Sequence, residues 1–223
     1  MAHALHNAPF VVNRPRVSTC FHKRAGRIVL RGGRGGFTLV ELMVVIAIVA
    51  VLAVVAVVSY RKLVLSSHTA EATEMLQSIR AAQEAYHSET QQYANISNCF
   101  TDTGGCLYPN GAPGSFKTAW GAACAGSQCN TTAQGGPANG WLDLPVHVDG
   151  PVMYGYWTTA GAAGTAANPA SWSINGATTS LPSSVPTDWF EIGAGGDVNG
   201  NGVYSHLYTG SWTNDVLIDN EGE

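Results

Sequence analysis

The chain has 223 residues, room for one membrane anchor and one domain of ordinary size. Its formal charge of −4 conceals two opposed parts: residues 1–36 carry Arg14, Arg16, Lys23, Arg24, Arg27, Arg31 and Arg34 and no acid, while residues 37–223 set four bases against fifteen acids, a net of −11. A part so acidic repels phosphate backbones, which excludes nucleic acid as a partner, and the asymmetry predicts two different fates for the two parts.

Residues 1–36 are basic, glycine-rich toward their end and without apolar period, so they read as a leader that stays in the cytoplasm. A start at Val29 or Leu30 would shorten it; peptides from residues 1–28 in the mass spectrum of the uncleaved precursor would exclude that. Next comes Leu42–Val58, seventeen residues with no charge, Gly or Pro. From Phe37 to Tyr60 a helix reaches about 36 Å, enough to cross a hydrocarbon core of about 30 Å. No small-residue cleavage site follows the run, so the run is retained, and the basic leader orients it with the N-terminus inside. Glu41 stands in its edge. A carboxylate there is either an interfacial residue reaching headgroups or a group awaiting a cationic partner.

The stretch Gly36-Phe37-Thr38-Leu39-Val40-Glu41-Leu42 and the unbroken apolar run behind it resemble the processing motif of type IV pilins and the related pseudopilins. The resemblance implies cleavage between Gly36 and Phe37 by a prepilin peptidase, N-methylation of Phe37, and pairing of Glu41 with the new amine of a neighbouring subunit. It also implies a subunit held in the inner membrane, in contact with lipid and an assembly machinery, before it joins a homopolymeric or mixed extracellular filament. Such filaments serve adhesion, twitching motility or biofilm formation. The alternative within the family is a pseudopilin of a type II secretion system; outside it, a membrane-anchored binding domain that does not polymerise. Pilins often carry Gly in the middle of this helix and Pro toward its end, where this chain has Ala50 and Val58.

No Gly or Pro occurs between Leu42 and Tyr93, so the helix is expected to continue. Over 61–93 it should be amphipathic, with Val64, Met75, Leu76, Ile79, Ala82 and Tyr86 on the apolar stripe. Glu71, Glu74, Gln77, Arg80 and Glu84 fall off that stripe. Residues 94–150 are Gly-, Ala-, Ser-, Thr- and Asn-rich, with Cys99, Cys106, Cys124 and Cys129. An even set without paired metal-ligand spacing favours two disulfides over zinc in an oxidising compartment. Three connectivities are open, and the short-range pairs Cys99–Cys106 and Cys124–Cys129 are favoured.

In residues 151–223, Met153–Thr159, Asp188–Ala194, Val203–Thr209 and Val216–Asp219 read as four strands of an antiparallel meander. The fold class is therefore α+β, a long N-terminal helix, half in the membrane and half amphipathic, packed on a C-terminal sheet. Asp197-Val198-Asn199-Gly200-Asn201-Gly202 starts like a calcium loop, with Asp197, Asn199 and Asn201 as oxygen donors, but the twelfth position is Tyr208 and not Glu. A plain Asn-Gly turn is favoured over calcium there. With no nucleophile–base pair, phosphate loop or paired carboxylates, the chain reads as a structural protein and not an enzyme, without an obligatory cofactor.

Overall fold

A stretch of this length without Gly or Pro can satisfy its backbone as one helix, and it does. In the computed structural model, which describes residues 36–97, 106–121, 140–167, 169 and 171–222, helix α1 runs Leu39–Thr90. The chain divides into two units, Met1–Ile46 and Ala47–Glu223, so α1 contributes to both. The basic leader, apart from Gly36, lies outside the described residues.

Every residue of α1 from Leu39 to Leu63 is exposed. Its sequence makes it long and apolar enough to cross a membrane. From Thr69 onward one face is buried, through Thr69, Ala72, Met75, Leu76, Ile79, Ala82 and Gln83. The switch follows the end of the apolar run, where Ser66, Ser67, Thr69 and Glu71 enter the sequence and the three- and four-residue spacing of apolar side chains emerges. The helix closes at Gln91, whose φ of 61° turns the chain away while its N–H still reaches the His87 carbonyl at 2.8 Å.

The sheet that covers this face has four antiparallel strands in the order β1–β4–β5–β6: β1 Gly155–Gly161, β4 Trp189–Gly196, β5 Ser205–Gly210 and β6 Thr213–Asp219. Alternation sets its two faces. Tyr156, Phe190, Ile192, Ala194 and Leu207 face the helix and form a core with Leu76, Ile79 and Ala82. Trp157 and Tyr208 face the other way and form a second core with Leu107 and Trp172. The register places Trp157 opposite Gly193, where an added Cβ would lie 2.3 Å from the indole, so the ring needs glycine beneath it.

The expected meander is present, but its first connection is not a short turn. Between β1 and β4 the chain makes a separate hairpin, β2 Ser171–Ile174 and β3 Ala177–Ser180. Asn175-Gly176 forms its turn, with φ of 51° and 73°, as a I′ turn requires. The hairpin lies on the outer face, where Trp172 stacks on Tyr208 at 5.3 Å. On the free side of β1, two bridges, Tyr108 with Tyr156 and Thr118 with Val152, tie in the segment 106–121.

The apolar stripe is corrected at its polar positions. Arg80, which spacing puts off the stripe, lies over the Phe190 ring at 5.6 Å. It donates to the carbonyls of Gly210 at 3.0 Å and Thr213 at 2.6 Å, and to the Thr209 hydroxyl. Gln83 is wholly buried: its amide donates to the Ala94 carbonyl and the Thr158 hydroxyl and accepts from the Ala94 N–H. Glu71, also assigned off the stripe, accepts from Lys117 at 2.6 Å and from the Met153 N–H at 3.2 Å. Helix–sheet adhesion in this protein is therefore partly polar: Gln83, Glu71 and the Nη2 of Arg80 are each bonded across it, while the buried Arg80 Nε has no hydrogen-bond partner among the described residues.

Candidate functional site

The candidate site is the start of α1. Phe37 is 84 % exposed, and Gly36 before it has no steric reason to be glycine: an added Cβ would meet nothing within 4 Å, and its φ is not in the left-handed region. Among the described residues nothing demands glycine at 36.

Thr38 and Glu41 form a reciprocal pair three residues apart. The Thr38 hydroxyl accepts the Glu41 N–H at 3.2 Å, while one carboxylate oxygen of Glu41 accepts both the Thr38 N–H and the Thr38 hydroxyl, each at 2.8 Å. This is a capping box, Thr at the N-cap and Glu at the third helical position, and it satisfies donors that the first turn leaves over. The carboxylate also sits where the positive end of the helix dipole favours it. The pattern Thr-x-x-Glu stood in the sequence, yet reading Glu41 for its charge alone passed over its geometry. Glu41 therefore has local work to do in an isolated chain. The box uses no atom of Gly36 or Phe37, so a cut between those two residues would leave its groups intact. Its second carboxylate oxygen is not used by the box and remains for another cation.

Behind this end Leu42, Met43, Val44, Val45, Ile46 and the other Val, Ile and Leu residues up to Val58 are all at least half exposed in the single chain. Such a surface is tolerable only in lipid or against other apolar helices.

The remaining expected site residues are scattered. Cys106 is buried and disulfide-bonded. Cys99, Cys124 and Cys129 lie outside the described residues, and so do the pairings expected among them. Asp197 and Asn199 fold their oxygens back on the loop between β4 and β5. Asp197 accepts the N–H groups of Gly200, Asn201 and Gly202 at 2.8–3.0 Å, Asn199 accepts that of Asn201, and Asn201 that of Val203. The loop is thereby closed by its own amides. Tyr208 is part of the outer aromatic core, remote in role from any loop ligand. Among the described residues no group of three or more His, Cys, Asp or Glu side chains is placed to hold a metal ion.

At the other end of α1, His87 stacks on Tyr93 at 4.3 Å and lies 3.9 Å from the Asp188 carboxylate, while the Tyr93 hydroxyl meets Glu84. Burial, with Glu84 adding to it, pushes the Tyr93 phenol up to about 12. Burial lowers the Arg80 guanidinium somewhat, against the pull of Glu84. These groups fasten the helix end to the sheet; they present no nucleophile beside a base.

Residues 31–57 match the family model described as the prokaryotic N-terminal methylation motif. This is the prepilin-type signature of type IV pilins and pseudopilins, and it covers the capping box and nearly all of the exposed apolar run. It points to a structural subunit, processed by a prepilin peptidase and anchored by one helix in the inner membrane. No curated protein and no solved structure matches the chain significantly.

Proposed function

We propose that the chain is a subunit of a type IV pilus. Prepilin peptidase cuts between Gly36 and Phe37 and methylates the new amine of Phe37. The mature subunit waits in the inner membrane on α1 and is then packed, with copies of itself or related pilins, into a surface filament used for adhesion, motility or biofilm formation. The observation that carries this reading is the methylation motif on a helix whose first 25 residues bury nothing. An apolar surface of that size has two solvents open to it in sequence, first lipid and then a bundle of identical helices. Glu41 fits both. Its charge faces the N-terminus, where the amine of an adjacent subunit offsets it in the dry filament core.

Shearing the cell surface and examining the released material by electron microscopy and mass spectrometry tests the proposal. A filament whose subunit begins with N-methylated Phe37 is expected. Processed subunit retained in the periplasm with no sheared filament points instead to a secretion pseudopilin, which shares the motif. Calcium binding by Asp197, Asn199 and Asn201 is a separate proposal, drawing on the oxygens that now hold the loop. A calorimetric titration with calcium on the protein and on Asp197→Ala decides it; absence of heat in both ends it.

A further inference from the structure

The part of the chain after the leader has four basic residues, and the structure uses them unequally. Arg80 is bonded to the β5–β6 corner and Lys117 to Glu71. Arg61 and Lys62 are exposed on α1, three and four residues beyond the apolar run, and neither has a hydrogen bond or ion pair among the described residues. In a part that carries −11, two unspent cations are conspicuous.

Further along the helix is a groove of about 430 Å³ with Ala70, Thr73 and Gln77 on one wall and Ile218 on the other. Glu74 and Glu221 stand at it, both exposed and both likewise without a partner among the described residues. The groove thus offers two unpaired carboxylates around small and apolar side chains, the complement of two cations on long apolar stems.

One chain cannot close this match on itself. Glu74 follows Lys62 by twelve residues and Arg61 by thirteen, which is about 18–20 Å along the helix and about 120° and 220° around it. Donor and acceptor are different patches at different heights and on different sides. A contact between unlike patches is heterologous and, where the rotation does not close, propagates as a helical filament.

We infer that Arg61 and Lys62 of one subunit dock at the Glu74–Glu221 groove of another copy of the same chain, as an electrostatic contact outside the apolar filament core. The inference rests on the polymer reading. It adds a second specification of subunit order, because copies out of register place the acidic surfaces against each other.

The test uses the full chain expressed in cells, with sheared filaments counted and membrane-bound processed subunit measured alongside. Arg61→Glu with Lys62→Glu removes cations from the exported side, so the positive-inside rule gives no reason for failed insertion. This variant, and separately Glu74→Lys with Glu221→Lys, should each lower filament yield about tenfold while processed subunit stays constant. The four-residue exchange combining both should restore yield to within about twofold of the parent, because the pairing is re-formed with reversed sign. Parent-level filaments in both reversed variants overturn the inference, and so does an exchange that fails to restore them. Should only the Arg61/Lys62 variant fail, and also lose affinity for vesicles containing phosphatidylglycerol, the two cations serve lipid headgroups and not a second copy. If the parent chain forms no filament at all, the polymer reading falls and this contact falls with it.

Discussion

Glu41 closes the capping box and, in the proposed filament, pairs with a neighbour's amine; one substitution can separate the two. As the third helical residue of a capping box it can be replaced by Gln, which accepts the Thr38 N–H equally well but carries no charge. Glu41→Gln should therefore insert and be processed normally, yet lower filament yield about tenfold or more, since a subunit amine is left unpaired in an apolar surrounding. Thr38→Ala does the reverse, losing about 1 kcal/mol of cap while keeping the charge, and should assemble nearly as the parent does. Counting filaments against processed subunit reads both; normal assembly of Glu41→Gln would show that only the cap matters. Gly36→Ala is expected to accumulate precursor at higher mass. No described residue lies within 4 Å of that added methyl group, so a processing defect would be assigned to the peptidase.

At the level of elements, the helix–sheet contact was readable in part. Met75, Leu76, Ile79 and Ala82 lie at helical spacing and are buried, as periodicity requires. Gln83, buried, and Arg80, half-buried, escaped because spacing sorts residues by polarity, and each has a partner on a distant strand. No local pattern announces a partner more than seventy residues away. The hairpin β2–β3 is a different kind of miss. Asn175-Gly176 is the strongest short-range hairpin signal, but its flanks, Ser-Trp-Ser-Ile and Ala-Thr-Thr-Ser, are polar enough to read as loop. The consequence for stability is testable. Gln83→Ala leaves the Ala94 N–H and carbonyl unpaired in the core and should destabilise the detergent-solubilised protein by about 2–4 kcal/mol in a urea melt. Tyr93 adds a pH term. Its phenol is raised in the folded state relative to the unfolded one, so its contribution is fully present below about pH 10 and is lost as pH rises through about 12. Tyr93→Phe should flatten the loss of stability over that window; an unchanged slope would assign the loss to other groups.

For the molecule beyond its membrane segment, the sheet is the shared wall of two cores, and the two differ in what covers them. On the inner side α1 contributes a full face, backed by Arg80, Gln83 and Glu71. On the outer side the hairpin contributes little more than Trp172, with Ile174 and Leu181 at its margin, while all four residues of β3 are exposed. β4 lies between β1 and β5 with all eight residues buried. Local opening should follow this order, since segments with few buried contacts open at low cost and those in the centre open only with the whole. Amide hydrogen exchange by mass spectrometry should therefore find β3 fastest, β6 intermediate and β4 slowest, with β4 close to the global unfolding limit. Trp172→Ala removes the indole stacked on Tyr208 and should accelerate exchange in β2 and β3 far more than in β4. Equal acceleration in all of them would mean that the hairpin is as much a part of the cooperative unit as the helix, and that the outer core is not the weaker cover.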